Sequence, residues 1–165
     1  MKRIFAVLAF VLSISPALAA ALPAPAGQPI LTISGLIDNT NAGQTAVLDR
    51  AMLDALPGRT TTTATPWYDG KVSFTGPLGS ELLKLVGAHG TMVKVTAVDD
   101  YSSEIPLQDF LDSPVIFADM LNAKPMSLRD KGPLFIIYPF DIRPDFYNEA
   151  YFGKSVWQIK ALEVH

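Results

Sequence analysis

Apolar and polar residues alternate first at "ILTISGLI", Ile30 to Ile37, where Ile, Thr and Ile succeed one another with the period of two that marks a strand. The next eight residues, "DNTNAGQT", have loop composition. In "LDRAMLDALP" the apolar residues Leu48, Met52, Leu53 and Leu56 recur at helical spacing; Asp49 suits an N-cap and Pro57-Gly58 a stop. A run of threonines then predicts a strand over Arg59–Thr65, because β-branched side chains suit a pleated surface. Pro66, Trp67, Tyr68 and an Asp-Gly pair interrupt it, which leaves open whether the two rings end a strand or floor a binding site.

Beyond that interruption the pattern predicts a short strand at "KVSFTG" and a helix in "PLGSELLKLVGAHG", with Gly87 as its C-terminal cap. A strand follows in "TMVKVTAVDD" and a helical turn in "EIPLQDFLDSP". "VIFADMLN" and "GPLFIIYP" read as apolar strands, "DIRPDFYNEAYFGK" as an irregular aromatic loop, and "SVWQIKALEV" as a final strand. This order describes one β-rich α+β domain over residues 30–165, without repeats.

The first residues have a different character. Lys2 and Arg3, an apolar run and Ala17-Leu18-Ala19 follow the order of a cleavable secretory signal over residues 1–19, implying a periplasmic or secreted protein. Residues 20–29, rich in Pro, Ala and Gly, read as a tether with little reason to pack. Loss of Lys2 and Arg3 from the 13 basic side chains leaves 11 against 16 acidic ones, a net charge of about −5. The basic residues are scattered, so nucleic-acid binding is not expected. There is no cysteine, which excludes disulfides, thiolate nucleophiles and thiolate–metal bonds alike.

Motifs for nucleotide, phosphate or hydrolytic chemistry are missing. His89 and His165 have no spacing that builds a triad or metal site and read as surface residues. Asp99, Asp100 and Glu104 cluster at a strand end, where they either form a turn and cap amides or supply carboxylates to a site. Tyr138, Phe140, Phe146, Tyr147, Tyr151 and Phe152 crowd the C-terminal loop as core or as the walls of a flat pocket. Among these rings Trp67, beside a proline and an Asp-Gly pair, reads as the least core-like.

From Tyr68 onward the order of segments resembles the molybdopterin-binding oxidoreductase domain of the sulfite oxidase family. The residues that carry the likeness are "FTGPLGSELLKLVGAHG", "DDY", "PLQDF", "FADMLNAKPM", "GPLFIIYP" and "SVWQI". The resemblance implies a mixed, mainly β sulfite oxidase-type fold with a few short helices and a pterin-shaped cleft. Three departures stand against the family's chemistry. The cysteine that holds molybdenum there, which aligns in or near the threonine run, is absent; the arginine of its "P-L-R" is Phe135; the lysine of its "V-K-W" is Trp157. An Arg and a Lys suit the phosphate of molybdopterin, and two aromatic rings do not.

The chain looks more similar to a cysteine-free, exported subgroup sharing "TPW…G", "DY…IP" and "GPL…IYP". That likeness implies a metal-free pterin ligand and a membrane partner, a cyclic-di-GMP or histidine-kinase signalling protein. On this reading Trp67 and Tyr101 stack on the ligand, with Tyr68 beside them. Asp100, or else Asp99 or Glu104, accepts hydrogen bonds from its amino-pyrimidine edge. Arg129 and Lys131 either meet its O4 or belong to a solvated turn. The competing expectations are an oxidoreductase dependent on molybdenum cofactor through a non-cysteine ligand, and a structural or interaction module whose pocket is vestigial.

Overall fold

The computed structural model describes residues 21–165; the predicted secretory signal lies outside them. The proline-rich stretch expected to be an unpacked tether is pinned at several points. Leu22 N–H donates to the Thr40 carbonyl (3.1 Å), Asn41 Nδ2 to the Pro23 carbonyl (2.8 Å) and Gly27 N–H to Asp49 Oδ2 (2.7 Å). Among the described residues no helix is long and apolar enough to cross a membrane.

The elements run β1 (Pro29–Gly35), β2 (Ala46–Asp49), α1 (Arg50–Asp54), β3 (Gly58–Thr65), β4 (Tyr68–Pro77) and α2 (Gly79–Leu85). Then come β5 (Met92–Ala97), β6 (Ser102–Pro106), α3 (Leu107–Asp112), β7 (Ile116–Ala118), β8 (Met120–Leu121) and β9 (Lys124–Pro125). The chain closes with β10 (Phe135–Ile137), α4 (Glu149–Phe152) and β11 (Ile159–Val164). Strands outweigh helices, and the fold is mainly β with a few short helices.

Three sheets organise these strands. The largest has the order β2-β1-β11-β5-β6, in which β1 and β11 are parallel and the other pairs antiparallel. The second has the order β3-β4-β8-β9, and the third pairs β7 with β10. One apolar cluster fills the space against the five-stranded sheet, with Leu31, Ile33, Val93, Val95 and Leu162 from its strands. A second joins Phe74 to Ile116, Ala118, Met126, Phe135 and Ile137 between the other two sheets. Full burial of each large side chain contributes about 1.5–3 kcal/mol, which stands in for the missing disulfides.

Local departures from the sequence pattern have identifiable causes. Leu48 belongs to β2, where it pairs with Leu31, rather than to a helix. The helix starts only after Asp49, whose carboxylate accepts the Met52 N–H (2.9 Å) as the predicted cap. Glu104 and Ile105, expected in a helical turn, lie in β6 because pairing with β5 satisfies their backbone; the helix begins beyond Pro106. The single strand expected over "VIFADMLN" is cut at Asp119, where the chain leaves β10 and joins β4. The final strand starts at Ile159 rather than Ser155, because Gln158 takes a left-handed conformation (φ 53°). Gly87 ends α2 as predicted, with φ 63°.

Gly76 sits where β4 crosses β7: a Cβ there would lie 2.1 Å from the Phe117 carbonyl oxygen. Gly76→Ala is expected to cost about 1–3 kcal/mol, since backbone on both sides cannot yield. Gly153→Ala, whose Cβ meets nothing nearer than 3.5 Å, is expected to leave stability unchanged. Thermal melts of the two variants compare them directly.

Candidate ligand-binding cleft

The threonine run alternates its side chains as a strand must. Thr61, Thr63 and Thr65 are buried, while Thr60 and Thr62 face out and bond across to Thr75 and Ser73 (2.8 Å each). Thr65 pairs with Tyr68, so the chain reverses through two residues only, Pro66 and Trp67. Asp69-Gly70, which has turn composition, instead accompanies a register shift, with Gly70 at φ 71°. A two-residue reversal leaves the indole of Trp67 no choice but to project from the end of the hairpin.

That indole lands between the two apolar clusters and packs against both. It meets Phe135, Phe152 and Trp157 edge-on, with centroids at 5.1, 5.7 and 6.1 Å. Phe135 in turn meets Trp157 (5.9 Å) and Phe74 (5.9 Å) edge-on. Trp67 is therefore half-buried and structural, against the expectation that it is the least core-like ring. Tyr147, at 45% exposure, is further out.

Trp67, Trp157, Phe152 and Tyr101 wall a cleft of about 420 Å³, completed by Ala97, Gly153, Ser155 and Val156, with the carboxylates Asp99 and Glu149 at its rim. Both carboxylates are exposed, and no Lys or Arg is part of the lining. Asp99 Oδ1 accepts the Tyr101 N–H (3.1 Å), and the Tyr101 hydroxyl reaches the Gly153 carbonyl (3.5 Å) across the cleft. Ser155 is spent within the fold, its Oγ donating to the Tyr151 carbonyl (2.9 Å).

The wall from Glu149 to Trp157 is held from behind. Lys154 Nζ and the Tyr138 hydroxyl both donate to Asp109 Oδ2, each at 2.8 Å, tying this segment and β10's end to α3. Burial, aided by Asp109, keeps the Tyr138 phenol far above its ordinary pKa, so it stays a donor.

Of the residues predicted for the site, Trp67, Asp99 and Tyr101 meet in the cleft. Asp100 does not line it: left-handed at φ 68°, it pairs with Lys160, whose hydrogen bond and charge hold its carboxyl below the usual range. Glu104 lies on β6, with Oε2 2.9 Å from His165 Nε2. Tyr68 packs its ring on Phe74 (5.7 Å) and donates its hydroxyl to the Asp130 carbonyl (2.9 Å), where burial raises its pKa. Arg129 is exposed in a 3-10 turn outside the lining, and Lys131 places Nζ 4.6 Å from the Trp157 ring centroid without entering it. His89 and His165 are both about half exposed, as predicted.

Trp157 and Phe135 were visible in the sequence as substituted positions, but their packing against Trp67 was not. Phe152 was one ring among several in the aromatic loop, and Glu149 carried no signal, because only the fold of α4 brings it to the rim.

No protein-family model matches the sequence, and no curated protein matches it. Among solved structures, the sulfane dehydrogenase SoxCD from Paracoccus pantotrophus aligns with a TM-score of 0.62 at 17% identity, over 82% of this chain and 37% of that one. The chain thus spans a little over a third of the length of its structural neighbour. At this identity the likeness establishes the fold, which is of sulfite oxidase type and similar to that of a molybdenum-oxidoreductase-type protein.

Trp67→Ala removes a ring shared by two clusters and is expected to cost about 3 kcal/mol. Asp100→Asn, which keeps a residue tolerant of the left-handed backbone and breaks only an exposed ion pair, is expected to leave the melting temperature unchanged. Calorimetric melts of both proteins provide the measurement.

Proposed function

We propose that this protein binds a flat heteroaromatic ligand of the pterin class, without a metal, and acts through a partner rather than by catalysis. One observation carries the reading: both tryptophans of the chain converge on a single cleft with a carboxylate rim. Indole and phenyl faces suit a planar ring, and the amino-pyrimidine edge of a pterin offers two donors to one carboxylate. Asp99 replaces Asp100 as that acceptor, because Asp99 faces the cleft while Asp100 is committed to Lys160.

The residues present do not fit a thiolate-held molybdenum cofactor. The chain has no cysteine, and among the described residues no group of three or more His, Asp or Glu side chains is placed to hold a metal. Phe135, where the family has arginine, is fully buried, and Trp157, where it has lysine, packs against it. A phosphate entering this cleft would meet Asp99 and Glu149 and no basic side chain, a repulsive arrangement. Export to the periplasm and relay to a membrane signalling protein of cyclic-di-GMP or histidine-kinase type complete the proposal. They rest on the signal-like N-terminus and the subgroup resemblance. The exposed rings Tyr101 and Trp157 offer that partner a surface at the cleft itself.

The likeness to SoxCD favours one rival, an oxidoreductase that uses an oxygen ligand for molybdenum. Stoichiometric molybdenum in protein purified from a cofactor-producing host would establish the rival. Since the only tryptophans lie in the cleft, intrinsic fluorescence reports on this site alone. Titration with a reduced pterin is expected to quench it and, at a hundredfold excess over Kd, to stabilise the fold by about 2.7 kcal/mol. Asp99→Asn is expected to weaken binding about tenfold, the loss of roughly one charge-assisted hydrogen bond, and Asp100→Asn to leave it intact. Neither quenching nor a thermal shift with the wild-type protein would leave the cleft as the vestige in a purely structural module.

A further inference from the structure

The rings that wall the cleft stand steeply to one another. Trp67 meets Phe152 at 74° and Trp157 at 67°. A slot that sandwiches a flat ligand needs two parallel walls, whereas these rings make corners. A planar ring lying on one wall therefore turns its edge towards the next. Aromatic faces are electron-rich and ring edges electron-poor, so a corner of this kind favours a ligand with a positive edge. A full positive charge on the ligand ring strengthens the same contact into a cation–π interaction.

The rim acts in the same direction. Asp99 and Glu149 supply two carboxylates, and the lining holds no basic side chain. Elsewhere carboxylates are matched by cations: Asp100 by Lys160, Asp109 by Lys154, Asp119 by Arg50 and Asp141 by Arg59. Among the described residues no ion pair includes Asp99 or Glu149. Lys154 and Lys160, which flank the wall in sequence, are thus committed to other partners. Lys131 lies outside the lining, with Nζ 4.6 Å from the Trp157 ring centroid. Its charge opposes that of a cationic ligand, against two carboxylates that favour it.

We propose, on the reading of this cleft as a site for a flat heteroaromatic ring, that it selects its ligand by positive charge. A ring made cationic by protonation or N-alkylation is held more tightly than a neutral ring of the same shape, with Asp99 and Glu149 as its counter-ions. A protonated amino-pyrimidine edge gives Asp99 charge-assisted hydrogen bonds in place of neutral ones. Glu149 acts through charge alone: it is exposed in the first turn of α4, and its backbone carbonyl accepts the Gly153 N–H (3.0 Å) whatever its side chain.

Isothermal titration calorimetry of the whole protein at pH 8 tests this with two probes of matched shape, cationic 1-methylquinolinium and uncharged 4-methylquinoline. At low salt the cation is expected to bind about tenfold more tightly, and added salt to narrow that preference by screening the exposed rim. In Glu149→Gln the preference is expected to fall about threefold, while a neutral reduced pterin binds as it does to the wild-type protein. Equal affinity for the two probes, tighter binding of the uncharged one, or binding of neither would overturn selection by charge. Tryptophan quenching by the pterin would in that case keep the proposed ligand class standing. A cation preference with no response to the pterin upholds selection by charge and removes the pterin. A preference that survives both added salt and Glu149→Gln would overturn the part assigned to the carboxylates; the salt series needs no variant.

Discussion

Trp67 is the contact on which the rest of the arrangement depends. A two-residue reversal between β3 and β4 delivers its indole to the gap between two apolar clusters, and it touches both. No disulfide is available, and β7 and β10, whose successive side chains enter the two clusters in turn, join them together with Trp67. The same ring walls the cleft, so one side chain contributes both to the core and to the cleft surface. Under the proposed function, stability and recognition are coupled at this one side chain.

The remaining walls follow from how the C-terminal segment is held. Asp109 on α3 takes hydrogen bonds from Tyr138 and Lys154 together, which sets α4 and the approach to β11 against the core. Gln158, left-handed, then turns the chain so that Trp157 stays at the cleft while Ile159 enters the sheet. Phe135 and Trp157 pack edge-on with each other and with Trp67. The result is apolar surface edged by Asp99 and Glu149, which is what the proposed function builds on.

Much of the secondary structure was legible in the sequence because it is governed locally. The period of two in Ile30–Ile37 and in the threonine run, the Asp49 cap and the Gly87 terminator all depend on neighbours within a few residues. Elements failed where pairing across the chain overrode the local pattern. Leu48 is a strand residue because β1 lies beside it, and Glu104 is one because β5 does. "VIFADMLN" breaks at Asp119 because two sheets compete for its halves. Within the site, Asp99 was picked out by its place in an acidic cluster at a strand end, and Trp67 and Tyr101 as stacking rings through the family resemblance. Asp100 and Glu104 were one or a few residues away, yet point to Lys160 and His165.

The sequence by itself determined the β-rich architecture, the lack of thiolate chemistry and the aromatic side chains at positions 135 and 157. These are properties of residue identity and short-range pattern, which no folding can alter. Tertiary structure alone decided which carboxylate faces the aromatic cleft and brought Glu149 and Phe152 to it. It also set Asp119 against Arg50. The reason is geometric. Adjacent residues such as Asp99 and Asp100 differ in direction by backbone dihedrals that the β5–β6 connection imposes, and residues 69 positions apart, Arg50 and Asp119, meet only when separate sheets pack.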